Sequence, residues 1–147
     1  MSSDETFAFA KPGSKAELEA GLGFTPKFDR DGLIAAIATE ATTGDVLMFA
    51  YMNAEALALS IETGIAHFWS RSRAALWKKG SESGNFLKIV EMRTDCDQDV
   101  LWLRVTVEGD GHACHTGRHS CFYRVLPVPS EDGASVKLVF APDAGEA

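Results

Sequence analysis

The chain has 147 residues, of which 46% are hydrophobic and 24% charged, a composition typical of a globular domain and not of a disordered chain. Fourteen basic and 21 acidic residues give a net charge of −7, which disfavours non-specific binding to nucleic acid phosphates. Its apolar stretches are too short to span a bilayer, and its N-terminus lacks a basic signal-peptide region. We therefore expect one cytoplasmic domain over residues 1–147, with flexible ends at 1–12 and 141–147.

Two short helices are predicted in the first half of the chain. Ser14 followed by Glu17 fits a capping box, so a helix is expected at 15–20. Asn53 can cap a second helix that runs to about residue 63, where Gly64 ends it.

Strands are predicted over most of the remaining chain, because short runs of β-branched and aromatic residues alternate with turn residues. The clearest run is 101–107, where the apolar residues at odd positions share one face and Trp102, Arg104 and Thr106 share the other. Short links favour antiparallel pairing, so the expected fold class is α+β with a predominantly antiparallel sheet and one or two short helices. The expected strands are 33–38, 46–51, 66–70, 75–78, 86–93, 101–107, 122–126 and 136–140.

The three cysteines of the chain indicate a metal site. An odd number cannot pair completely within one chain, and a cytosolic protein would keep its thiols reduced. Cys114 and Cys121 lie seven residues apart in a stretch that also carries three histidines, while Cys96 lies upstream. Three protein ligands plus a water is the arrangement of a catalytic zinc, whereas the paired spacings of a structural zinc finger are missing here. Buried unligated cysteine is the alternative, and the density of histidines favours the metal.

The segment 95–99 carries three carboxylates around one thiol. If it is extended, Asp95, Asp97 and Asp99 share one face and Cys96 projects from the other. Hard oxygen ligands suit Mg²⁺, while the opposed thiolate suits Zn²⁺. Taken alone, the segment favours the simpler alternative of a solvated acidic turn between strands.

Aromatic and basic residues are interleaved over 67–73 and 76–80. The rings could stack a base while the Arg and Lys side chains hold phosphates. The alternative is that Phe68, Trp69 and Trp77 belong to the core and the charged side chains form a solvated face. Composition supports this alternative and nucleotide binding equally well. No glycine-rich GxGxxG phosphate loop and no HExxH motif occurs in the sequence.

In this order, the blocks HFWSRSR (67–73), LWKKG (76–80), SGN (83–85), DCDQD (95–99) and ACHTGRHSCFY (113–123) resemble phosphoribosyl-AMP cyclohydrolase, an enzyme family of histidine biosynthesis. The resemblance runs from about residue 28 to residue 124. Leu87 stands where the family often has Gln, and His119 where it commonly has Arg, which affects substrate contacts and not metal ligands. The chain ends about 25 residues after Cys121, so the monofunctional form is expected.

The resemblance implies a reaction and an assembly. The reaction is hydrolytic opening of the N1–C6 bond in the adenine ring of 1-(5-phosphoribosyl)-AMP by a zinc-activated water, giving the formimino-aminoimidazole carboxamide ribonucleotide. The assembly is an intertwined homodimer whose metal sites are shared between the chains. The implied metal ligands are Cys96, Cys114 and Cys121 for zinc, and Asp95, Asp97 and Asp99 for magnesium.

This chemistry suggests roles for further residues. After water adds at C6, either the exocyclic amine or ring N1 can leave, so a general acid must protonate N1. His115, next to a cysteine of the zinc set, and His67, beside the aromatic residues, are the two candidates for this catalytic role. The candidate substrate-binding residues are Trp69, Arg71, Arg73, Lys78 and Arg118.

Two other functions stay open. A zinc-dependent nucleotide deaminase would release ammonia, although its usual pairing of His-x-Glu with a later Cys-x-x-Cys is missing. A non-enzymatic module, in which zinc only holds a dimer together, would show four protein ligands and no open position. Product analysis distinguishes a deaminase from a ring-opening enzyme. The number of protein ligands on zinc distinguishes a structural module from a catalytic site.

Overall fold

The computed structural model describes residues 9–144, so the expectation of flexible ends falls partly on residues 1–8 and 145–147, outside the described range. The helices are α1 (Lys15–Ala20) and α2 (Ala54–Thr63), and a 3₁₀ turn lies at Gly133–Ser135. The strands are β1 (Ile34–Glu40), β2 (Val46–Met52), β3 (His67–Ser70), β4 (Ala75–Lys78), β5 (Leu87–Thr94), β6 (Val100–Val107), β7 (Arg124–Val125) and β8 (Val139–Phe140). No described helix has the length and apolar character needed to cross a membrane.

Six of these strands form one mixed sheet in the order β4-β3-β2-β1-β6-β5, and β7 pairs with β8 separately. The α+β class predicted from the sequence is confirmed. Neighbouring strands of the large sheet run antiparallel except β1 and β6, which run parallel. The parallel pair is possible because β2 to β5, together with α2, form the long crossover that parallel strands need. β7 and β8 are shorter than predicted.

Local capping fixes the two helices, as predicted. The Ser14 hydroxyl accepts from the backbone N–H of Glu17, and the Glu17 side chain accepts from the backbone N–H of Ser14. At α2, Asn53 Oδ1 accepts from the backbone N–H of Ala56 at 2.8 Å, and Gly64 ends the helix in the left-handed region.

One face of the large sheet forms the hydrophobic core with α2. Phe68 is 1% exposed and packs on the half-buried Trp77 with ring centroids 5.6 Å apart, so these two aromatic residues take the core position that the sequence left open. The fully buried side chains include Ile34, Leu47, Met52, Leu57, Leu87, Leu101, Leu103 and Val105.

The opposite face of the sheet, called the outer face below, carries large apolar side chains without cover from the described chain. Strand register aligns Ile37 with Phe49 on one side and with Trp102 on the other, and aligns Tyr51 with Trp69. Phe49 is 46% exposed and Trp102 41% exposed. An uncovered apolar row of this kind is typical of a surface that meets another protein chain.

Candidate active site

A cleft of about 580 Å³ opens beside β4, between the loop at 80–85 and the loop at 110–117. Its wall combines cations, imidazoles and one thiol. The residues of this kind that line it are Arg73, Lys78, Lys79, His112, Cys114 and His115.

Close packing of two loops holds one side of this cleft. The buried side chain of Asn85 accepts a hydrogen bond from the backbone N–H of Asp110 through Oδ1 at 2.7 Å. Gly109 has φ +73°, and a Cβ there would overlap Asn85 Oδ1 and lie 2.7 Å from the carbonyl oxygen of Gly84. Glycine is therefore required at 109 both for its backbone conformation and for the close approach of the two loops.

The loop from 113 to 121 folds back on itself and positions the Cys114 thiol. The backbone N–H of Cys114 donates to the carbonyl of Arg118 at 3.1 Å, and the Thr116 hydroxyl donates to Cys114 Sγ at 3.1 Å. At the end of the loop, the backbone N–H of Cys121 donates to the carbonyl of Leu47 on β2 at 2.7 Å. The loop is thus fastened to the sheet at the second cysteine.

Cys114, Cys121 and Lys79 interact electrostatically, and each affects the pKa of the others. Burial raises the pKa of Cys114, but hydrogen bonds from Thr116 and Cys121 and the charge of Lys79 outweigh it, so this pKa lies below its ordinary value. Burial, together with the adjacent Cys114, raises the pKa of Cys121 to about 11, although part of its surface reaches solvent. Cys114 is therefore the first of the two thiols to ionise.

The three aspartates converge in a turn, which is the conformation favoured for this segment when it was taken alone. Residues 96–98 form a tight turn between β5 and β6, not an extended segment, and Gln98 has φ +54°. Carboxylate oxygens of Asp95, Asp97 and Asp99 lie within 4.8 Å of one another. A turn brings the three side chains together, whereas an extended segment would only place them on one face. The arrangement can hold a divalent cation through hard oxygen ligands.

The carboxylates of this turn are coupled. Burial raises the pKa of Asp95, but hydrogen bonds from Asp99 and from two backbone N–H groups outweigh it and hold this pKa below its ordinary value. The hydrogen bond to Asp95, burial and repulsion from the neighbouring carboxylates raise the pKa of Asp99. A cation bound here would relieve this repulsion.

A buried glutamine holds the acidic turn against the N-terminal segment. Gln98 is 4% exposed, its Oε1 accepts from the backbone N–H of Thr25 at 2.9 Å, and its Nε2 donates to the carbonyl of Leu18 at 3.2 Å. The backbone N–H of Lys27 also donates to the Gln98 carbonyl at 2.7 Å. The segment from α1 to residue 27 therefore fixes the geometry of the turn.

Within one chain, the three cysteines do not meet. Cys96 lies exposed in the acidic turn before β6, whereas Cys114 and Cys121 follow that strand. Eight residues of extended β6 cover about 25 Å. Among residues 9–144, the three sulfurs do not form a group of ligand atoms within 4.8 Å of one another, whereas the three aspartates do.

The two histidines predicted as catalytic occupy different environments. His115 is exposed and lines the cleft, next in sequence to Cys114. His67 is 7% exposed at the start of β3, is not a lining residue, and has Nδ1 2.8 Å from the carbonyl of Ile65. An Nδ1–H donor to that carbonyl leaves Nε2 as the acceptor nitrogen of His67.

His119 stands where the resembling family commonly has Arg. It ties the loop from 113 to 121, called the thiol loop below, to Glu40 at the end of β1 and to Gly111. Its Nε2 lies 2.9 Å from a carboxylate oxygen of Glu40, and its Nδ1 lies 3.0 Å from the carbonyl oxygen of Gly111. This side chain therefore has a structural partner on each ring nitrogen.

The predicted substrate-binding residues are divided between three places. Arg73 and Lys78 line the cleft. Arg71 lies over the Tyr51 ring at 4.3 Å, and Trp69 lies opposite Tyr51 in the sheet register, so both belong to the outer face.

Arg118 lies outside the cleft of its own chain. Its guanidinium stacks over the rings of Tyr123 and Phe140, at 4.2 and 5.3 Å from their centroids. Its Nε is buried without a hydrogen-bond partner in the described residues. The stacking connects the thiol loop to the β7–β8 hairpin.

Three further site residues were not proposed from the sequence: Lys79, Thr116 and Gln98. Lys79 was missed because no periodicity in the sequence distinguishes it from Lys78. Gln98 was missed because its hydrogen bonds join residues more than 70 positions apart. The only available signal for Thr116 was its position two residues after Cys114.

Comparison with known proteins places this chain in a class of hydrolases. A family model described as phosphoribosyl-AMP cyclohydrolase matches residues 48–123. A protein of that name from Brucella abortus (strain S19) is 58% identical over 134 residues, which cover 91% of this chain and 94% of the relative. Another from Sinorhizobium fredii (strain NBRC 101917 / NGR234) is 60% identical over 124 residues, covering 84% of this chain and 82% of the relative.

The chain is therefore an enzyme of the hydrolase class. It belongs to the phosphoribosyl-AMP cyclohydrolase family, whose activity serves histidine biosynthesis. The resemblance noted from the five sequence blocks is confirmed.

Proposed function

We propose that this enzyme hydrolyses the N1–C6 bond of the adenine ring in 1-(5-phosphoribosyl)-AMP at a site that holds zinc and magnesium. The observation that carries the proposal is the pair of interacting thiols, Cys114 and Cys121, on a loop that lines a cleft together with the exposed His115. Nucleotide chemistry requires cations for phosphate and a group that can protonate a ring nitrogen. The wall of the cleft offers both kinds of side chain.

The donor set at the thiol loop fits zinc. Two thiols that interact with each other, one of them with a pKa below its ordinary value, supply the soft ligands that zinc prefers over harder divalent ions. Zinc, when bound, would lower the pKa of a water toward about 7 and so supply hydroxide at neutral pH. Cys96 is the proposed third ligand.

The residues of the cleft would decide which bond breaks. Loss of ring N1 instead of the exocyclic amine requires protonation at N1 as the bond to C6 opens. His115 is the first candidate for this general acid, because it is exposed in the cleft beside Cys114. His67 stays a proposed second candidate, acting through Nε2, since its Nδ1 is bonded to the Ile65 carbonyl.

Phosphate binding would start with Arg73 and Lys78, the two predicted anchors that line the cleft. Guanidinium and ammonium groups are the usual protein partners of phosphate. Trp69, Arg71 and Arg118 are proposed to contact substrate only in the assembled dimer, because they lie outside the cleft of their own chain.

We infer a homodimer in which Cys96 of one chain completes the zinc site of the other. The separation of Cys96 from the thiol pair supports this assembly. A second support is the apolar outer face, which continues into a groove of about 510 Å³ lined by Ile37, Trp102 and Asp95. A second copy seated on this face would lie next to the acidic turn that carries Cys96.

Magnesium is the proposed ion of the acidic turn. The oxygens of three carboxylates within 4.8 Å of one another offer hard ligands in this turn. The ion would hold the turn in shape and lie close to a substrate phosphate, which is a common arrangement for magnesium in nucleotide sites.

Product analysis tests the proposed function. Purified protein is incubated with phosphoribosyl-AMP, Zn²⁺ and Mg²⁺, and the reaction is followed by absorbance and by an ammonia assay, with Cys114→Ser as the matched control. We expect the ring-opened carboxamide without free ammonia. Release of ammonia would favour a deaminase, and zinc bound by four protein ligands in a protein without activity would favour a structural module.

A further inference from the structure

Lys79 is a buried cation that faces the cleft. It follows β4 directly, is 8% exposed, and lines the cleft together with Cys114. Its Nζ lies 5.5 Å from the ring centroid of Trp77, and its backbone N–H donates to the carbonyl of Ala66. The backbone and the aromatic contact therefore hold the stem, and the ammonium lies at the wall of the cleft.

Within residues 9–144, the ammonium of Lys79 forms neither a salt bridge nor a hydrogen bond to a protein acceptor. The side chain is mostly buried, but its Nζ is not fully enclosed, so the ammonium reaches the cleft as an unpaired cation. The neighbouring Lys78 is different, because it is exposed and its Nζ lies over Phe86.

Lys79 and Cys114 line the same cleft. Cys114 and Cys121 are the partners whose negative charge acts on Lys79, and Lys79 acts on each of them in return. Three thiolates around one divalent zinc ion carry a net single negative charge. One ammonium at the same place would neutralise it.

We propose that Lys79 is a positioning residue of the metal site, whose fixed positive charge compensates the excess negative charge of the thiolates that hold zinc. The inference rests on the proposed zinc site and adds a residue that the ligand set does not contain. A lysine in this place stabilises the loaded site, which carries three thiolates, more than it stabilises the empty site. Its removal therefore weakens zinc binding without weakening the apo fold.

The test compares zinc affinity in four proteins: wild type, Lys79→Met, Lys79→Arg and Lys88→Met. Methionine keeps the unbranched stem on Trp77 but removes the charge, and arginine keeps the charge. Lys88→Met removes an equal charge from an exposed position on β5. Each dimeric apo protein is titrated with Zn²⁺ against a chromophoric chelator, and its thermal unfolding is recorded without metal.

We expect Lys79→Met to bind zinc about 10- to 100-fold more weakly than wild type, as is typical when a group that supports metal ligands is removed. Lys79→Arg and Lys88→Met should bind zinc within about threefold of wild type, and apo Lys79→Met should unfold at the same temperature as wild type or higher.

Wild-type zinc affinity in Lys79→Met would overturn the inference, and so would loss of the apo fold, which would make Lys79 a structural residue. A raised KM for the nucleotide with unchanged zinc affinity would make it a phosphate ligand instead. Failure of the wild-type thiols to bind zinc at all would instead refute the proposed zinc site, so the two failures are distinguishable.

Discussion

The substitution Gly109→Ala tests the packing that holds the cleft. Gly109 has φ +73°, and the added methyl group would overlap Asn85 Oδ1 and lie 2.7 Å from the carbonyl oxygen of Gly84. The Asn85 amide cannot turn away without losing its hydrogen bond from the backbone N–H of Asp110. The two loops must therefore move apart.

Gly111→Ala is the matched control, because Gly111 has φ +80° but nothing lies within 4 Å of an added Cβ. Both substitutions cost the strain of a left-handed residue, about 1–2 kcal/mol. Only Gly109→Ala adds the cost of overpacking, about 1–3 kcal/mol, and of a lost hydrogen bond, about 1 kcal/mol. We expect Gly109→Ala to lower the free energy of unfolding by about 2–4 kcal/mol more than Gly111→Ala does.

Urea unfolding at one fixed protomer concentration measures this difference, and steady-state kinetics shows whether the cleft is altered. The fixed concentration matters because the apparent stability of the proposed dimer would depend on protomer concentration. Gly109→Ala should also lower kcat/KM, since the displaced loops carry one wall of the cleft. Equal losses of stability in the two variants would refute the reasoning about the close approach at 109.

Three further predictions concern the two proposed metal sites and the acidic turn. Cys121→Ser should abolish activity and reduce bound zinc, since a neutral hydroxyl is a poor substitute for thiolate. Metal analysis that finds full zinc occupancy in the inactive variant would contradict the proposal that Cys121 is a zinc ligand. Asp97→Asn should make activity depend on a higher Mg²⁺ concentration while zinc stays bound, and an unchanged Mg²⁺ titration would remove the second metal site. Gln98→Ala should lower the free energy of unfolding in urea by about 1–3 kcal/mol, because it leaves the Thr25 N–H and the Leu18 carbonyl without their partner. A variant with wild-type stability would show that these bonds do not hold the turn.

The sequence was sufficient for features that depend on neighbouring residues. The capping box at Ser14 and the Asn53 cap join atoms only three residues apart, so the helices could be predicted with their ends. Strand positions followed from alternation, to within a few residues. The family could be identified because five ordered blocks carry its chemistry.

Features that depend on distant residues could not be predicted. The sequence left open whether the acidic segment is extended or forms a turn; in the structure it forms a turn in which Gln98 has φ +54° and its side chain bonds to the backbone of Thr25 and Leu18. The parallel pairing of β1 with β6 likewise needs contacts across more than 60 residues. Lys79 could not be separated from Lys78, because only the fold makes one of them buried and leaves the other exposed.

The most direct test of the account is whether each active site takes its thiols from two chains. Inactive Cys96→Ser and inactive Cys114→Ser proteins, carrying different affinity tags, are unfolded together in equal amounts, refolded with Zn²⁺ and Mg²⁺, and assayed for opening of the adenine ring. In a mixed dimer with shared sites, one site collects both substitutions and the other collects none. Random pairing then predicts about a quarter of wild-type activity, carried by the doubly tagged dimer. A doubly tagged dimer that forms but shows no activity would contradict the shared site, because every site within a single chain would keep one lesion.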